Sequence, residues 1–443
     1  MAKALHTLCA SEAQECILRG DFTVEAYAQA LLDRVAARDS EVHAWATLDP
    51  IHVLEQARRL DRIPKGQRGP LHGFVIGVKD VINTKDFPTK HNSPLHQDDP
   101  TLMDATSVAI LRANGALIMG KTRTTEYAVV AVTPGTKNPH DPSRSPGGSS
   151  SGSAAAVADY QVPIGLGTQT IGSIMRPSSF NGVYGFKPTW NSISSEGQKV
   201  TSPTLDTFGF MTREPRDLRK LSDVFGLKDD DEAPRRGEMI IPGQKFAILR
   251  PPMWKNAGPG TVAAMERAGQ ILRDAGAMVD EITLPSDFDN VLELQTDVLR
   301  HEIQVVFHRE STCARDTMSR ELVAAAAGIQ GGTLRRTFLR SFDALAALRG
   351  QMDGIASGYA AIIAPSSVDV APVTDTWTGD PQFNGMWTGL HTPAINVPGF
   401  AGQGDMPVGV TLVSGRYRDE HLLQVAASVG PLFTHLAILN LVA

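Results

Sequence analysis

Cysteine is scarce in this 443-residue sequence, which carries Cys9, Cys16 and Cys313 and no others. Their number is odd and their spacing matches no metal-ligand pattern, and we expect no structural disulfides. Such usage is typical of a reducing compartment, and we expect a cytoplasmic protein. The twelve histidines include no HExxH pair, and we expect no metal site and no cofactor.

A surplus of positive charge is also absent, since 42 Lys and Arg stand against 48 Asp and Glu, for a net charge of −6. No run of basic residues forms the positively charged patch that nucleic-acid binding requires. We therefore expect no nucleic-acid partner.

Long apolar runs are almost absent too. The first residues, "MAKALHTLCASEAQE", lack the apolar core of a signal peptide. Residues 422–443 carry no charge and have the length of a membrane span, but polar residues interrupt them. Because Gly430 and Pro431 should break a helix midway, we interpret this segment as a packed terminal helix followed by a tail. A membrane anchor is the alternative, and we expect no membrane partner.

What the sequence does contain is an alternation of helical patterns and short apolar runs. The first 60 residues predict helices, and Thr23 is placed to cap the one that carries Val24, Tyr27 and Leu31 on one face. Further helices are expected at 107–114, 261–275, most of 290–350, and 419–429. Strands are expected at 74–78, 116–121, 163–168, 245–250, 278–284, 360–365 and 407–415. This alternation predicts an α/β fold with parallel strands in the βαβ unit at 245–284.

Two stretches rich in glycine and serine, residues 145–158 and 167–182, could carry chemistry. Both could be ordinary flexible loops, and the first could be a phosphate cradle, although no lysine closes a GxxxxGK[ST] pattern. A nucleophilic serine such as Ser173 needs a base, and no histidine lies within 145–182. Lys79 follows an apolar strand, where burial could lower its pKa enough for it to replace histidine. The residues alone leave these alternatives open.

Three motifs decide between them by their order and spacing. They are "PLHGFVIGVKD" at 70–80, "GGSSSGSAAAVA" at 147–158 and "GTQTIGSIMRP…NGVYGFKPT" at 167–189, and together they resemble the amidase signature family. The resemblance extends over nearly the whole chain. It implies one large α/β domain, with a mixed central sheet covered by α-helices on both faces. Within a single domain of 1–443 we distinguish a helical N-terminal segment 1–65, a signature core 70–215 and a C-terminal α/β part 240–443, with the charged stretch 227–244 as a surface connection.

The resemblance also implies roles for individual residues. Ser173 matches the family's nucleophile, Ser149 the bridging serine that follows a cis peptide bond, and Lys79 the general base. The oxyanion hole of the family maps onto the backbone N–H groups of the run Thr170, Ile171, Gly172 and Ser173. We expect Asp80 to point away from the Lys79 amine, because its charge would oppose the lowered pKa.

The sequence departs from the family pattern, which is close to G-T-D-T-G-G-S-I-R-x-P. Gln169 stands where the family has an acid, and Ile171 stands where it has a glycine. Met175 occupies the usual position of the arginine, while Arg176 comes one place later, which puts the structural pairing of that arginine in doubt. We expect catalysis to survive because all three triad positions are present.

The resemblance implies an amidase that hydrolyses a carboxylic amide, and also an ester or carbamate, through a Ser173 acyl-enzyme. Two alternatives remain: an A-subunit-like component of a tRNA-dependent amidotransferase, and a non-catalytic binding protein. The expected partners are a small amide substrate and water, and a homodimer is a further expectation, since relatives often dimerise. Besides Ile171, we expect the pocket to be lined by Tyr127, Met175, Asn384 and Trp387. This mixture favours an apolar acyl or aryl group over one that bears a carboxylate.

Overall fold

One large mixed sheet runs through the whole chain. The computed structural model describes residues 3–96, 103–229, 237–327 and 335–433. Within them the strands are β1 Trp45–Leu48, β2 Val75–Lys79, β3 Leu117–Thr122, β4 Ile164–Gln169, β5 Tyr184–Lys187, β6 Thr207–Thr212, β7 Lys245–Leu249, β8 Met278–Ile282, β9 Ala361–Pro365, β10 Ala394–Ala401 and β11 Pro407–Val413. Their order across the sheet is β1-β3-β2-β4-β6-β5-β10-β11-β9-β7-β8.

The helices are α1 Ala10–Arg19, α2 Val24–Val42, α3 Pro50–Asp61, α4 Thr106–Ala113, α5 Ser151–Ala158, α6 Met175–Asn181, α7 Pro215–Val224, α8 Pro259–Asp274, α9 Val291–Val306, α10 His308–Cys313, α11 Arg320–Ala327, α12 Arg335–Ala356, α13 Gly385–Gly389 and α14 Asp419–Phe433. Thr23 caps α2 as predicted, because its side chain accepts a hydrogen bond of 3.0 Å from the N–H of Ala26.

Strand direction changes across the sheet. β2 runs parallel to β3 and β4, and β7 runs parallel to β8 and β9, which confirms the predicted βαβ unit. The strands between these two groups pair antiparallel, and β5 pairs with β10 across the middle. The early and late parts of the chain therefore share one sheet, and the fold is a single α/β domain. The internal boundaries at 65, 215 and 240 stay a prediction.

Helices cover both faces of this sheet. In β9, Ile362 and Ala364 belong to a cluster with side chains of α2, α9 and α12, while Ala361 and Ile363 belong to a second cluster with α7, α8 and α14. Successive residues of a strand point to opposite faces, so the alternation places one helical layer on each side. The predicted two-sided α/β architecture is confirmed.

Four strands were absent from the sequence expectation. β1 lies inside the segment expected to be helical, and β5, β6 and β10 were not predicted. β5 and β6 are short and each contains a glycine, which weakens the strand signal of their sequences. β10 contains Pro398 and Gly399, which argue against a strand, and the register shifts between Val397 and Phe400 to accommodate them.

The expected helix break at Gly430 and Pro431 is wrong. α14 continues through Pro431 to Phe433, the last residue before the segment that is not described. Residues 434–443 lie outside the described part of the chain, as do 230–236 of the predicted surface connection. Among the described helices, none combines the length and the apolar character needed to cross a bilayer.

Candidate active site

Lys79 is the last residue of β2, a strand buried at every position between β3 and β4. Its Nζ lies 2.7 Å from Ser149 Oγ, 2.8 Å from Thr168 Oγ1 and 3.2 Å from the Thr168 carbonyl oxygen. Burial lowers the pKa of this amine to about 7, and the charge of Asp206 acts in the opposite direction. Near neutral pH a large fraction is therefore neutral, and a neutral amine can accept a proton from the Ser149 hydroxyl.

The side chain of Asp80 points away from Lys79, as predicted. It pairs with Lys121 Nζ at 3.2 Å and accepts a hydrogen bond of 3.2 Å from the N–H of Lys90. This partner neutralises a carboxylate that would otherwise raise the pKa of the neighbouring Lys79.

Ser149 precedes α5, and the peptide bond between Gly148 and Ser149 is cis, as the resemblance implied. Gly147 has φ +79°, and a Cβ there would lie 2.7 Å from Cα of Pro177. A Cβ on Gly148 would lie 2.6 Å from Thr378 Cγ2. The two glycines therefore let this segment pass close to neighbouring backbone and side chains.

Ser173 lies in the turn between β4 and α6. The side-chain oxygen of Gln169 accepts hydrogen bonds from the N–H groups of Ile174 at 2.9 Å and Met175 at 3.0 Å. The Gln169 amide nitrogen donates to Thr388 Oγ1 at 3.2 Å. Glutamine thus anchors the turn through its carbonyl oxygen, where the family pattern has a carboxylate.

The carbonyl groups of this turn are held within the protein. Gln295 Nε2 donates to the Thr170 carbonyl at 3.2 Å, Thr388 Oγ1 donates to the Ile171 carbonyl at 3.2 Å, and the Arg176 N–H donates to the Gly172 carbonyl at 3.0 Å. In a trans peptide the N–H points opposite to the C=O. The N–H groups of Ile171, Gly172 and Ser173 therefore point away from these anchors, and within the described residues none of the three donates to a protein acceptor.

Ser149 and Ser173 line one cavity of about 130 Å³. Its other lining residues are Ala128, Val129, Val130, Ala131, Thr170, Ile171, Gly172, Arg176, Thr201, Leu299, Ile303, Trp377, Thr378, Gly379 and Pro381. Ile171 is at the wall, as expected. Most of these positions carry no sequence signal, because α9 and the 377–381 loop reach the cavity only through the tertiary fold.

The other four predicted pocket residues do not line this cavity. Tyr127, Met175, Asn384 and Trp387 are fully buried in the protein interior. Asn384 packs behind the nucleophile turn, where a Cβ on Gly172 would lie 3.1 Å from its Nδ2. Only Met175 is close to Ser173 along the chain, so the tertiary fold decides which side chains face the cavity.

Asp206 is a residue near the site that sequence reasoning missed. Its carboxylate accepts hydrogen bonds from Thr170 Oγ1 at 2.5 Å and from the N–H of Thr201 at 2.6 Å. Burial raises its pKa to about 6, so it remains largely ionised above that pH. Asp206 therefore contacts the nucleophile turn through Thr170, and its charge raises the pKa of Lys79.

The displaced Arg176 is buried and reaches the cis peptide. Its Nη2 donates to the Gly148 carbonyl at 2.7 Å and lies 3.2 Å from Thr378 Oγ1. Arg176 therefore pairs with the protein backbone: its guanidinium donates a hydrogen bond to the carbonyl of Gly148, the residue before Ser149. Among the described residues, no cluster of three or more His, Cys, Asp and Glu side chains is arranged to hold a metal ion.

Comparison with known proteins shows the family of this chain. The model of the family described as Amidase matches residues 26–423. The chain is 37% identical over 299 residues to the A subunit of the glutamyl-tRNA(Gln) amidotransferase of Roseiflexus sp. (strain RS-1). That alignment covers 63% of this chain and 61% of the relative, which is less than two thirds of its length.

Solved structures match over almost the entire chain. One described as an amidase has a TM-score of 0.84 and 29% identity, covering 95% of this chain and 98% of its own. The native peptide amidase from Stenotrophomonas maltophilia has a TM-score of 0.80 and 26% identity, covering 96% and 97% respectively.

Proposed function

This chain belongs to the amidase signature family, and we propose that it is a stand-alone hydrolase that cleaves the C–N bond of a small carboxylic amide. The observation that carries the proposal is the 2.7 Å contact between Lys79 Nζ and Ser149 Oγ, at a cavity that Ser173 also lines. A lysine with a pKa of about 7 meets the requirement for a general base near neutral pH.

In the proposed reaction, Ser173 Oγ attacks the carbonyl carbon of the amide. Its proton passes to Ser149 Oγ while the Ser149 proton passes to Lys79 Nζ, which becomes an ammonium ion. The N–H groups of the run Thr170, Ile171, Gly172 and Ser173 stabilise the tetrahedral oxyanion, and one such donor is typically worth about 3–4 kcal/mol. The proton then returns through Ser149 to the leaving amine as the C–N bond breaks, and water hydrolyses the acyl-enzyme.

A second candidate is the A subunit of a tRNA-dependent amidotransferase. It is favoured by the 37% identity to the Roseiflexus protein of that name. The reaction at the serine would be the same, but such a component would depend on a partner.

The test is ammonia release from aliphatic and aryl primary amides by the purified chain alone; carbamates and esters are assayed in parallel by the amine or alcohol that they release. A stand-alone amidase should release ammonia from at least one amide in a reaction that needs no other protein. Turnover that appears only after partner proteins are added would favour the second candidate. A chain that neither turns over nor reacts with a fluorophosphonate would be a binding protein.

Replacing Asp206 by asparagine should shift the pH dependence of kcat/KM to lower pH. The charge of Asp206 raises the pKa of Lys79, so its removal should let the amine lose its proton at a lower pH. The measurement is the midpoint of the ascending limb of kcat/KM against pH.

Asp419→Asn is the matched control. Asp419 is also buried and also accepts hydrogen bonds from a threonine, Thr189, through both its hydroxyl and its N–H. That variant should leave the midpoint unchanged. An unchanged midpoint in the Asp206→Asn variant would show that Asp206 does not affect the pKa of Lys79.

A further inference from the structure

Helix α9 forms one wall of the cavity. Leu299 and Ile303 line the cavity from α9, and Gln295 lies one helical turn before them on the same face. Leu299 and Ile303 are only 8% and 7% exposed. The wall that α9 presents to the cavity is therefore apolar and shielded from solvent.

Hydrogen bonds hold α9 against the rest of the site. Gln295 Nε2 donates to the carbonyl of Thr170 in the nucleophile turn at 3.2 Å. The Glu302 carboxylate accepts hydrogen bonds from the Ser202 hydroxyl and from Thr204, through its hydroxyl at 2.8 Å and its N–H at 3.2 Å. Because a close-packed interior yields little, α9 cannot retreat to admit a longer group without loss of these bonds.

The cavity opens where Ala131 and Trp377 lie. They are the two exposed residues of its lining, and a hydrogen bond of 2.9 Å from the N–H of Thr378 to the Ala131 carbonyl joins their two segments. In the proposed reaction the amine leaves and water enters through this opening, whereas the acyl group stays bound to Ser173. The acyl group therefore occupies the closed side of the cavity, against α9.

The volume of the cavity determines how large that acyl group is. The cavity measures about 130 Å³, whereas pockets for drug-sized ligands span about 300–1,000 Å³. Since an apolar cavity of about 150 Å³ holds one benzene molecule, this cavity has room for about six non-hydrogen atoms. Butanamide has that number, so a butanoyl group fills the cavity when its amide lies at Ser173.

We propose that α9 limits the acyl group of the substrate to about four carbon atoms, and that Leu299 and Ile303 set this limit. The inference rests on the proposed hydrolase function and deepens it, because it names amides of short-chain carboxylic acids as the substrate class. The substituent on the nitrogen has no such limit, since it extends through the opening at Ala131 and Trp377.

The kinetic test compares acetamide, butanamide and hexanamide. We expect the wild-type kcat/KM to rise from acetamide to butanamide, because each added methylene buries apolar surface. It should fall at least about 10-fold from butanamide to hexanamide, as is typical when a pocket cannot accept a further methylene. Leu299→Ala and Ile303→Ala should each remove most of this fall, because the truncated side chain leaves room for a longer chain. An unchanged ratio of hexanamide to butanamide in both variants would refute the proposed limit.

Leu348→Ala is the matched control for these variants. Leu348 is a buried leucine of α12 in the same apolar cluster as Leu299, and it does not line the cavity. Its truncation should destabilise the fold and keep the wild-type ratio of hexanamide to butanamide. If Leu348→Ala changed the ratio as much as Leu299→Ala does, the effect would come from a loosened core and not from the wall of the cavity.

A series of secondary amides tests which side of the substrate faces α9. The wild type should hydrolyse N-hexylacetamide and N-ethylacetamide with kcat/KM values within about 10-fold of each other, and Leu299→Ala should not change their ratio. A larger fall for N-hexylacetamide that Leu299→Ala relieves would place the amine against α9 and overturn the proposal.

A binding experiment separates the length limit from the reaction. In a Ser173→Ala background, calorimetry should show butanamide binding at least about 10-fold tighter than hexanamide, and addition of Leu299→Ala should remove most of the difference. This binding pattern without turnover of any amide by the wild type would support the limit and refute the hydrolase. Turnover of hexanamide by the wild type as fast as that of butanamide would refute the limit and keep the hydrolase.

Discussion

Ser173→Ala should lower kcat by about four orders of magnitude or more, with substrate binding little changed. Removal of a catalytic nucleophile leaves only the contribution of the oxyanion donors and of binding. Because Ser149 would remain beside Lys79, the loss should show that a serine in that position cannot attack the substrate by itself. Steady-state kinetics on the amide found by the screen would measure the effect.

Covalent trapping distinguishes the roles of the two serines. A fluorophosphonate adduct should be found by mass spectrometry on the peptide that carries Ser173, and hydroxylamine should intercept the acyl-enzyme as a hydroxamate. Ser149→Ala should slow turnover severely and still leave the nucleophile in place, because Ser149 is proposed to relay a proton. An adduct on Ser149 with Ser173 unmodified would reverse the assignment.

Lys79→Arg should be nearly inactive at every pH, because a guanidinium does not give up its proton in proteins. In the wild type, kcat/KM should rise with pH along one ionisation near 7, where burial places the pKa of Lys79. Lys121→Arg is the matched control: Lys121 is also a buried lysine, and arginine can keep its ion pair with Asp80. That variant should retain the wild-type midpoint. An active Lys79→Arg enzyme, or a midpoint near the ordinary pKa of lysine, would remove Lys79 from the role of base.

The lowered pKa also predicts an effect on stability that does not depend on activity. The folded pKa of about 7 lies below the ordinary value of 10.5, so the unfolded chain takes up the proton more readily. The stabilising contribution is complete above pH 10.5 and is lost as the pH falls through about 7. The free energy of unfolding of the wild type should therefore fall relative to that of Lys79→Met over this range. If the free energy of unfolding depended on pH equally in the two proteins, the lowered pKa of Lys79 would be contradicted.

The sequence alone determined the family, the α/β class and the three residues that meet at the proposed site. These features have local signals: β2 is an apolar run that ends at Lys79, and glycines surround Ser149 and Ser173. The effect of the departure at Gln169 could not be predicted from the sequence, and only the structure shows that its amide oxygen accepts hydrogen bonds from the N–H groups of Ile174 and Met175.

The tertiary structure decided which strands join the sheet and which side chains form the cavity. β5 and β6 are short strands that each contain a glycine, and their place in the sheet is set by pairing with β10 and β4. Leu299 and Trp377 are more than 120 residues from Ser173 along the chain and line the same cavity with it. The contacts of Arg176 with Gly148 and Thr378 likewise join residues that are far apart along the chain. Burial, pairing and charge compensation are properties of neighbours in space, and a local sequence pattern carries information only about neighbours along the chain.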